Sequence, residues 1–557
     1  MASSSRLILI SLATLCFVAL SARAQSADPV PDWPDHFDPF KVLVYNLEMS
    51  RENWETVRHD LSFDIEVPSL LSANGEAPVL VSVRRKSATA FPDESDPQKV
   101  ALKIDINEYA VKDAAGNIVC EEDHGFVAPV CVKTWHDLKK LSLESGDDNN
   151  VVTEGIAWYL HRLASETLDY TPGLAAWIEL YITLTDENGD SIDGQTFYNG
   201  VFVNVEQHDK QFLKNHGLWA GSDATWLTKV SDVYSPSIKE APEDAFGDPI
   251  ESPTARALNF RPFQQCGRGK KSGGCDTQPS DVAFVDTLDH YVNTEGVLTL
   301  AAVSAFHVSP DDLFSKGKNF FHVDYSDVSL GRREYLQWDL DAAFAGLDVA
   351  ADIYGQGKGK FGDYEDWIID ESAFKDRYSQ TIQALLDGPF NATELSAAPT
   401  SFQALLEDAL ESDPHANLPD GAAGEFDFLR GWLAERIVHV QAQLPGSPPL
   451  PGEELIHVGD LTGSSAPSVR NRWEATAAID IHDSGHGPVD GATVSGSWST
   501  GGKGSCVTVL GTCAITRTGI RNRLDRTTFS VKKIDLPGVI YDAGANDVSD
   551  SIVIQRP

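Results

Sequence analysis

Asp339 and Asp341 stand two residues apart in Glu334-Tyr335-Leu336-Gln337-Trp338-Asp339-Leu340-Asp341-Ala342-Ala343-Phe344. Alternate residues of a strand share a face, so a strand through Trp338 would deliver both carboxylates to one side at its end. Two such carboxylates suit a divalent ion, since Mg²⁺ is usually held by one or two carboxylates and substrate phosphates. Taken alone, the spacing fits better an acidic pair that closes a strand and starts a turn.

Upstream lie Ser309-Pro310-Asp311-Asp312-Leu313-Phe314 and then Lys318-Asn319-Phe320-Phe321-His322-Val323. An Asp in a loop followed by an Asn that opens a strand is a pattern phosphoryl transfer uses. The Asp accepts the nucleophile's proton and the Asn ligates a metal. A third stretch, Phe197-Tyr198-Asn199-Gly200-Val201-Phe202-Val203-Asn204-Val205-Glu206-Gln207-His208-Asp209-Lys210-Gln211-Phe212-Leu213-Lys214, reads as a hairpin strand passing into a helix, with Trp226-Leu227-Thr228-Lys229 after it.

In this order and at these separations the motifs resemble the CotH kinase family, the spore-coat-protein-H-like atypical protein kinases. The family's Tyr-Tyr-Gly-type strand ending in Val-Glu-Gln matches 198–213. Its Asp and Asn-Asn-Phe-Tyr step matches Asp312 and 319–323, and its Trp-Asp-Leu-Asp-x-Ala-Phe matches 338–344. Val42–Val57 and Thr153–Leu160 look like its opening strand and its Arg-Glu-Arg helix, so the resemblance spans 38–445. It implies a kinase-like fold that uses ATP and Mg²⁺, with Mn²⁺ or Ca²⁺ as alternatives. By the same resemblance Asp312 is the catalytic-loop base, with Asp311 the alternative. Asn319, Asp339 and Asp341 are the metal ligands, and Glu206 sits at the hinge behind the adenine. Glu154 is the partner of a phosphate-binding lysine, expected to be Lys99 or Lys103. Those two share a strand face with Ala101 and Asp105 by alternation. The family's Gly-containing loop after the second strand is replaced by Arg84-Arg85-Lys86-Ser87-Ala88-Thr89. Without the Gly, close backbone approach to phosphate is harder, and Arg84, Arg85 and Lys86 become candidate side-chain ligands.

The elements that must position these residues run strands first and helices later. Strands are expected at 42–47, 79–85, 99–106, 176–184, 196–205, 319–325 and 333–338. Helices are expected at 51–59, 150–163, 209–215 and 281–306, and between 364 and 444. This order predicts an α+β, two-lobed, protein-kinase-like domain with a β-rich N-lobe and a helical C-lobe. The division expected is a leader at 1–24, a linker at 25–37, the kinase-like domain at 38–445 and a Pro/Gly linker at 446–454. A small all-β module at 455–557 would follow. With its short strands, Trp473 and Trp498, it resembles an Ig-like β-sandwich. Asp186–Asp190 reads as a hairpin turn rather than a Ca²⁺ loop, and Gly355–Gly362 as a loop rather than a nucleotide cradle.

Residues 1–24 carry Arg6, the apolar run Leu7–Leu20 and a small-residue end, Ala22-Arg23-Ala24. This is the pattern of a secretory signal peptide. Cys16 lies within it, and the other cysteines form close pairs, Cys120/Cys131, Cys266/Cys275 and Cys506/Cys513, as in an exported, disulfide-bonded chain. The Cys266–Cys275 stretch reads as a disulfide-closed basic loop. The formal charge of −39 disfavours nucleic acid and anionic membrane as partners. The expected partner is a secreted or cell-surface protein phosphorylated on Ser or Thr, with self-phosphorylation as a variant. No transmembrane segment is expected in the mature chain, which would work outside the cytoplasm, in a periplasm or at the cell surface. The rival reading is a non-catalytic adhesion or structural protein on the same scaffold. A weaker one is a module of a polysaccharide-degrading assembly.

Overall fold

The computed structural model describes residues 32–93, 95–121, 124–146, 150–186, 191–231, 236–258, 282–344, 348–354, 372–446, 454–468, 471–536 and 539–557. The leader, Cys266/Cys275, the Gly355–Gly362 run and most of the 446–454 linker lie outside these residues.

Period-two alternation sets the first half of the chain. Strands β1 (Leu43–Ser50), β2 (Val67–Ala73), β3 (Val79–Phe91) and β4 (Lys99–Asp105) form a meander. A side hairpin, β5 (Ala110–Lys112) and β6 (Ile118–Cys120), follows, and Cys120 is bonded to Cys131. Then come β7 (Lys140–Glu144), β8 (Ala175–Thr185) and β9 (Ser191–Glu206). The order β1-β2-β3-β4-β7-β9-β8 closes into a barrel because β1 pairs with β8 in parallel, Leu43 opposite Ile178 through Ser50 opposite Thr185. Closure leaves no edge to aggregate. The barrel interior is aliphatic and aromatic, with Leu47, Val81, Val83, Leu102, Ile104, Leu143, Ile178, Leu180 and Phe202 all buried. β8 and β9 pair antiparallel, and residues 187–190 of the expected Asp186–Asp190 turn lie outside the described residues.

β8 and β9 are apolar on both faces, for a packing reason. Ile178 and Phe202 point inward, while Trp177, Val201, Val203 and Val205 face a second core shared with the helices. Helix α1 (Arg51–His59) starts at Ser50, whose Oγ accepts the Asn53 N–H, and closes on the barrel through Trp54 and Val57. Helix α2 (Val151–Ser165), capped by Asn150, lies against Trp177. A Cβ on Gly155 would come within 2.3 Å of that indole, so glycine is what permits the contact.

After α3 (Lys210–Asn215) come β10 (Thr225–Val230), β11 (Pro236–Glu240), α4 (Pro253–Leu258), α5 (Val282–Tyr291), α6 (Thr294–His307), α7 (Leu313–Lys316), β12 (Phe320–Tyr325) and β13 (Glu334–Gln337). The four strands form one sheet, β11-β10-β12-β13. The expected helix over 281–306 is two, broken at Val292-Asn293, where Asn293 caps α6. Helix α6 is buried almost throughout, which fits its lack of a polar face. α8 (Ser372–Asp387) and α10 (Gly421–Gln443) pack against it, and α9 (Ala392–Ser412) packs on α10 and β9. Arg436 of α10 is fully buried and donates to the carbonyls of Ala305, Val349 and Ala351, tying the 348–354 segment to α6.

The expected linker at 25–37 needs correction. From Asp32 onward it belongs to the barrel body, with a 3-10 turn at Trp33–Phe37. His36 Nδ1 lies 2.6 Å from the Tyr45 hydroxyl, and Arg162 donates to the Phe37 carbonyl.

The C-terminal residues form eight strands: β14 (Glu454–Ser468), β15 (Arg472–Asp483), β16 (Thr493–Trp498), β17 (Lys503–Val507), β18 (Thr512–Arg521), β19 (Arg526–Asp535), β20 (Val539–Tyr541) and β21 (Ser551–Gln555). They make two four-stranded sheets, β18-β15-β14-β20 and β17-β16-β19-β21, around one apolar cluster that includes Trp473, Trp498 and Phe529. Cys506 and Cys513 are disulfide-bonded.

Candidate functional site

Strand β13 ends at Gln337, one residue before the expected Trp338. Asp339 and Asp341 therefore lie in the turn beyond the strand, not on its face. Asp339 takes left-handed backbone (φ 60°), and so does Asn319 (φ 58°), which opens β12 on the paired strand. The Trp338 N–H donates to the Asn319 carbonyl at 3.2 Å, so the two residues are neighbours at one end of the β12–β13 pair. Val308 (φ 47°) and Phe344 (φ 61°) bracket them, and the Phe344 N–H donates to the His307 carbonyl. Left-handed backbone is tolerable for Asn and Asp and costly for a β-branched residue. Such outliers gather where a fold is committed to placing particular groups.

Glu154 of α2 is 1% exposed and faces this turn. Burial raises its carboxyl above the ordinary range, and the charges of Asp341 and Asp339 raise it further. Its Oε1 lies 3.4 Å from the Trp158 indole nitrogen, and its Oε2 is buried without a hydrogen-bond partner. Lys86 lies within the same field. Burial lowers its ammonium, and Asp339, Glu154 and Asp341 pull it back. It contacts Glu144 Oε1, and its Nζ stands 4.7 Å from the Trp338 ring centroid.

Lys86 and Trp338 also line a cleft of about 610 Å³ between the barrel and the β10–β13 sheet. In a chain of charge −39, this cleft gathers Arg84, Lys86, Lys103, Lys139, Lys140, Lys210, Lys229 and Lys239 against Asp105, Glu108, Asp209 and Glu240. Crowding is evident in Lys103, which burial and the cations Lys140, Arg84, Lys86 and Lys229 push down to about 7. Lys229 is lowered too, mainly by burial, and Asp339 opposes that shift. The aromatic wall is Phe321 and Trp338, 5.3 Å apart, with His208 at 5.0 and 5.2 Å from them. His208 is 2% exposed and held neutral by burial, and neither ring nitrogen has a partner.

The residues singled out from sequence thus separate. Glu154, Asp339 and Asp341 share one electrostatic field, Asn319 adjoins it through the backbone, and Lys103 lines the cleft next to it. Lys99 must be corrected. It does share a strand face with Lys103, as alternation requires, but it sits at the other end of β4. There it is fully buried, donating to Asp413 Oδ2 at 2.8 Å and the Val201 carbonyl at 2.7 Å. The lysine whose charge acts on Glu154 is Lys86, itself paired with Glu144. It lies where the β3–β4 ladder is interrupted between Arg85 and Ala90. Among the described residues of that stretch none takes left-handed backbone, so the interruption forms without glycine. Arg85 points the other way, onto the carbonyls of Arg58, Ser87 and Ala88.

Glu206 also turns from the cleft. Its Oε2 lies 2.9 Å from His216 Nε2 and accepts the Leu174 N–H, while its neighbours Gln207 and His208 line the cleft. Asp312 is 1% exposed and caps α7. Its Oδ1 accepts the Phe314 and Ser315 N–H groups, and its own N–H donates to Ser315 Oγ. Asp311 is the accessible acid of the pair, with Lys316 at 2.6 Å, Lys318 at 2.8 Å and Asn319 Nδ2 at 3.3 Å from its oxygens. Sequence reading missed Lys229 and His208 as cleft residues. The signal was available for Lys229, which occupies the lysine step after the third motif.

A mixed α/β body of this kind, with a cation-lined cleft beside a cluster of acids, has the charge pattern of a site for a polyanion and a divalent ion. The family model described as CotH kinase protein matches residues 188–437, a little under half of the chain, and supports a place in that family. No curated protein matches the chain. The matched span carries Asp311, Asp312, Asn319, Asp339 and Asp341. Lys86, Lys103 and Glu154 precede it, yet β9, inside the span, completes a barrel whose other strands lie before it.

Proposed function

We propose that the protein is an exported atypical kinase that transfers the γ-phosphoryl group of ATP to a Ser or Thr hydroxyl of a secreted or surface protein, itself included. The observation that carries this reading is the pairing of two opposite crowdings around Lys86 and Trp338. Burial, joined by neighbouring cations, depresses Lys103, and burial, joined by the charges of Asp341 and Asp339, raises Glu154. A bound triphosphate relieves the first and a divalent cation the second. Mg²⁺ or Mn²⁺ would be held by Asp339, Asp341 and Asn319, and the unpartnered Glu154 Oε2 fits a cation nearby. The ion's contribution is to neutralise charge on the phosphates.

Arg84, Lys86, Lys103 and Lys229 hold the phosphates. Phe321, Trp338 and neutral His208, all buried, form the floor beneath Lys86 and Lys229. Asp311 orients the acceptor hydroxyl, because Asp312 is already spent on its helix cap. The disulfides Cys120–Cys131 and Cys506–Cys513 suit an oxidising compartment, which supports export.

The test uses the purified chain with γ-labelled ATP and Mg²⁺ or Mn²⁺. Transfer to itself or to an acidic acceptor protein is expected, falling at least a hundredfold in Asp339→Asn/Asp341→Asn. Absence of transfer together with absence of an ATP-induced thermal shift overturns the reading. ATP binding without transfer selects the non-catalytic scaffold, the reading that the consumed Asp312 favours.

A further inference from the structure

Outside the kinase-like body, three histidines and an aspartate of the C-terminal module converge on one point. His457 of β14 and His482 of β15 are directly opposed in the ladder, His486 lies in the turn after β15, and Asp547 precedes β21. Their potential ligand atoms all lie within 4.8 Å of one another. His457 Nε2, His482 Nδ1 and His486 Nδ1 stand 3.2, 3.5 and 3.1 Å from the same oxygen, Asp547 Oδ2. Ligand atoms about 2.0–2.1 Å from a tetrahedral Zn²⁺ are about 3.3 Å from each other, so the three nitrogen-to-oxygen separations are those of a zinc coordination shell, and the remaining pairs lie within 4.8 Å.

Hydrogen bonding accounts for the cluster less well. A carboxylate oxygen offers two lone-pair directions, and three imidazoles approach this one. His482 Nδ1 is accordingly buried with no hydrogen-bond partner. Three of the four residues are also held in place by their surroundings. A Cβ at Gly459 would stand 2.1 Å from His482 Nδ1, so the bulge there seats the ring against bare backbone. Asp483 Oδ1 accepts the N–H groups of Gly485 and Gly487 and holds His486 in left-handed backbone at φ 59°. The Asp547 N–H donates to the Val458 carbonyl, and Asn546 next to it accepts the Val458 N–H at 2.7 Å.

We propose that His457, His482, His486 and Asp547 form a zinc site that fastens the segment before β21 onto the β14–β15 pair. Four protein ligands leave no open position, so the site is structural. Imidazole with a single carboxylate selects Zn²⁺ over Mg²⁺ and Ca²⁺, which prefer all-oxygen shells.

The tag-free full chain, stripped with chelator, is titrated with Zn²⁺ under excess Mg²⁺ by calorimetry, and with Co²⁺ by visible absorption. One equivalent of Zn²⁺ and the intense spectrum of tetrahedral Co²⁺ are expected. His486→Ala, at an exposed ring, and the isosteric Asp547→Asn weaken Zn²⁺ binding at least tenfold each with circular dichroism unchanged. Asp339→Asn/Asp341→Asn leaves it intact, which separates this site from the cleft. The proposal fails if the wild type binds no more Zn²⁺ than the His486→Ala/Asp547→Asn double variant, or if its Co²⁺ spectrum is octahedral.

Discussion

Two lysines on one face of β4 show how much a few ångströms of surroundings decide. Lys99 is locked to Asp413, whose oxygens also accept the N–H groups of Val201 and His415. Lys99→Met would leave that carboxylate buried without its cation. A loss of about 3–5 kcal/mol in unfolding free energy is expected, read by denaturant titration, with ATP affinity of the folded protein unchanged. Lys103 behaves oppositely. Its ammonium is pushed down to about 7 from an ordinary 10.5, first by burial and then by neighbouring cations. It therefore destabilises the unliganded fold most below pH 7, and that cost fades as pH rises toward 10.5. A polyphosphate favours its charged form, so ATP binding near pH 8 should take up a proton, and affinity should fall as pH rises from 7. Calorimetry in two buffers of different ionisation enthalpy measures the uptake, and Lys103→Met should remove its share. Alternation made both lysines legible as one face. It could not show which end of the strand would be covered by a carboxylate more than three hundred residues later.

At the scale of elements, α2 carries Glu154 to the acids, and its seat depends on Gly155 against Trp177. Gly155→Ala should therefore cost about 1–3 kcal/mol by overpacking and weaken metal-dependent ATP binding as Glu154 is displaced. Gly431→Ala is the control, since a Cβ there meets nothing within 4 Å in α10. It should stabilise by up to about 1 kcal/mol. Melting temperature and nucleotide titration of the two variants distinguish the mechanisms. Strand and helix positions were readable because period-two and period-3.6 patterns are local. Arg51–His59 came out as read, and β3 ran on beyond Arg85 to Phe91. The turn that presents Asp339 was not readable, because its left-handed backbone follows from pairing with Asn319 across the β12–β13 ladder rather than from its own sequence.

For the molecule as a whole, the barrel is the feature sequence concealed. Its closing pair, β1 with β8, joins segments far apart in the chain and in parallel, and no local pattern encodes that partnership. The strongly acidic composition concealed the cleft in the same way. The net charge of −39 says nothing of where the cations are, and among the described residues folding draws eight of them to one cleft. Among the described residues no helix is long and apolar enough to cross a membrane.

The contact between Lys99 and Asp413 spans 314 residues, and that distance orders the birth of the protein. As the chain emerges from its amino end, every barrel strand is made before α9 and its terminal aspartate exist. Until Asp413 arrives, the barrel wall holds an ammonium that must stay hydrated, so the wall there must stay ajar. The barrel can collapse early but can seal only late, when the helical part docks. Helical part and barrel then become final together.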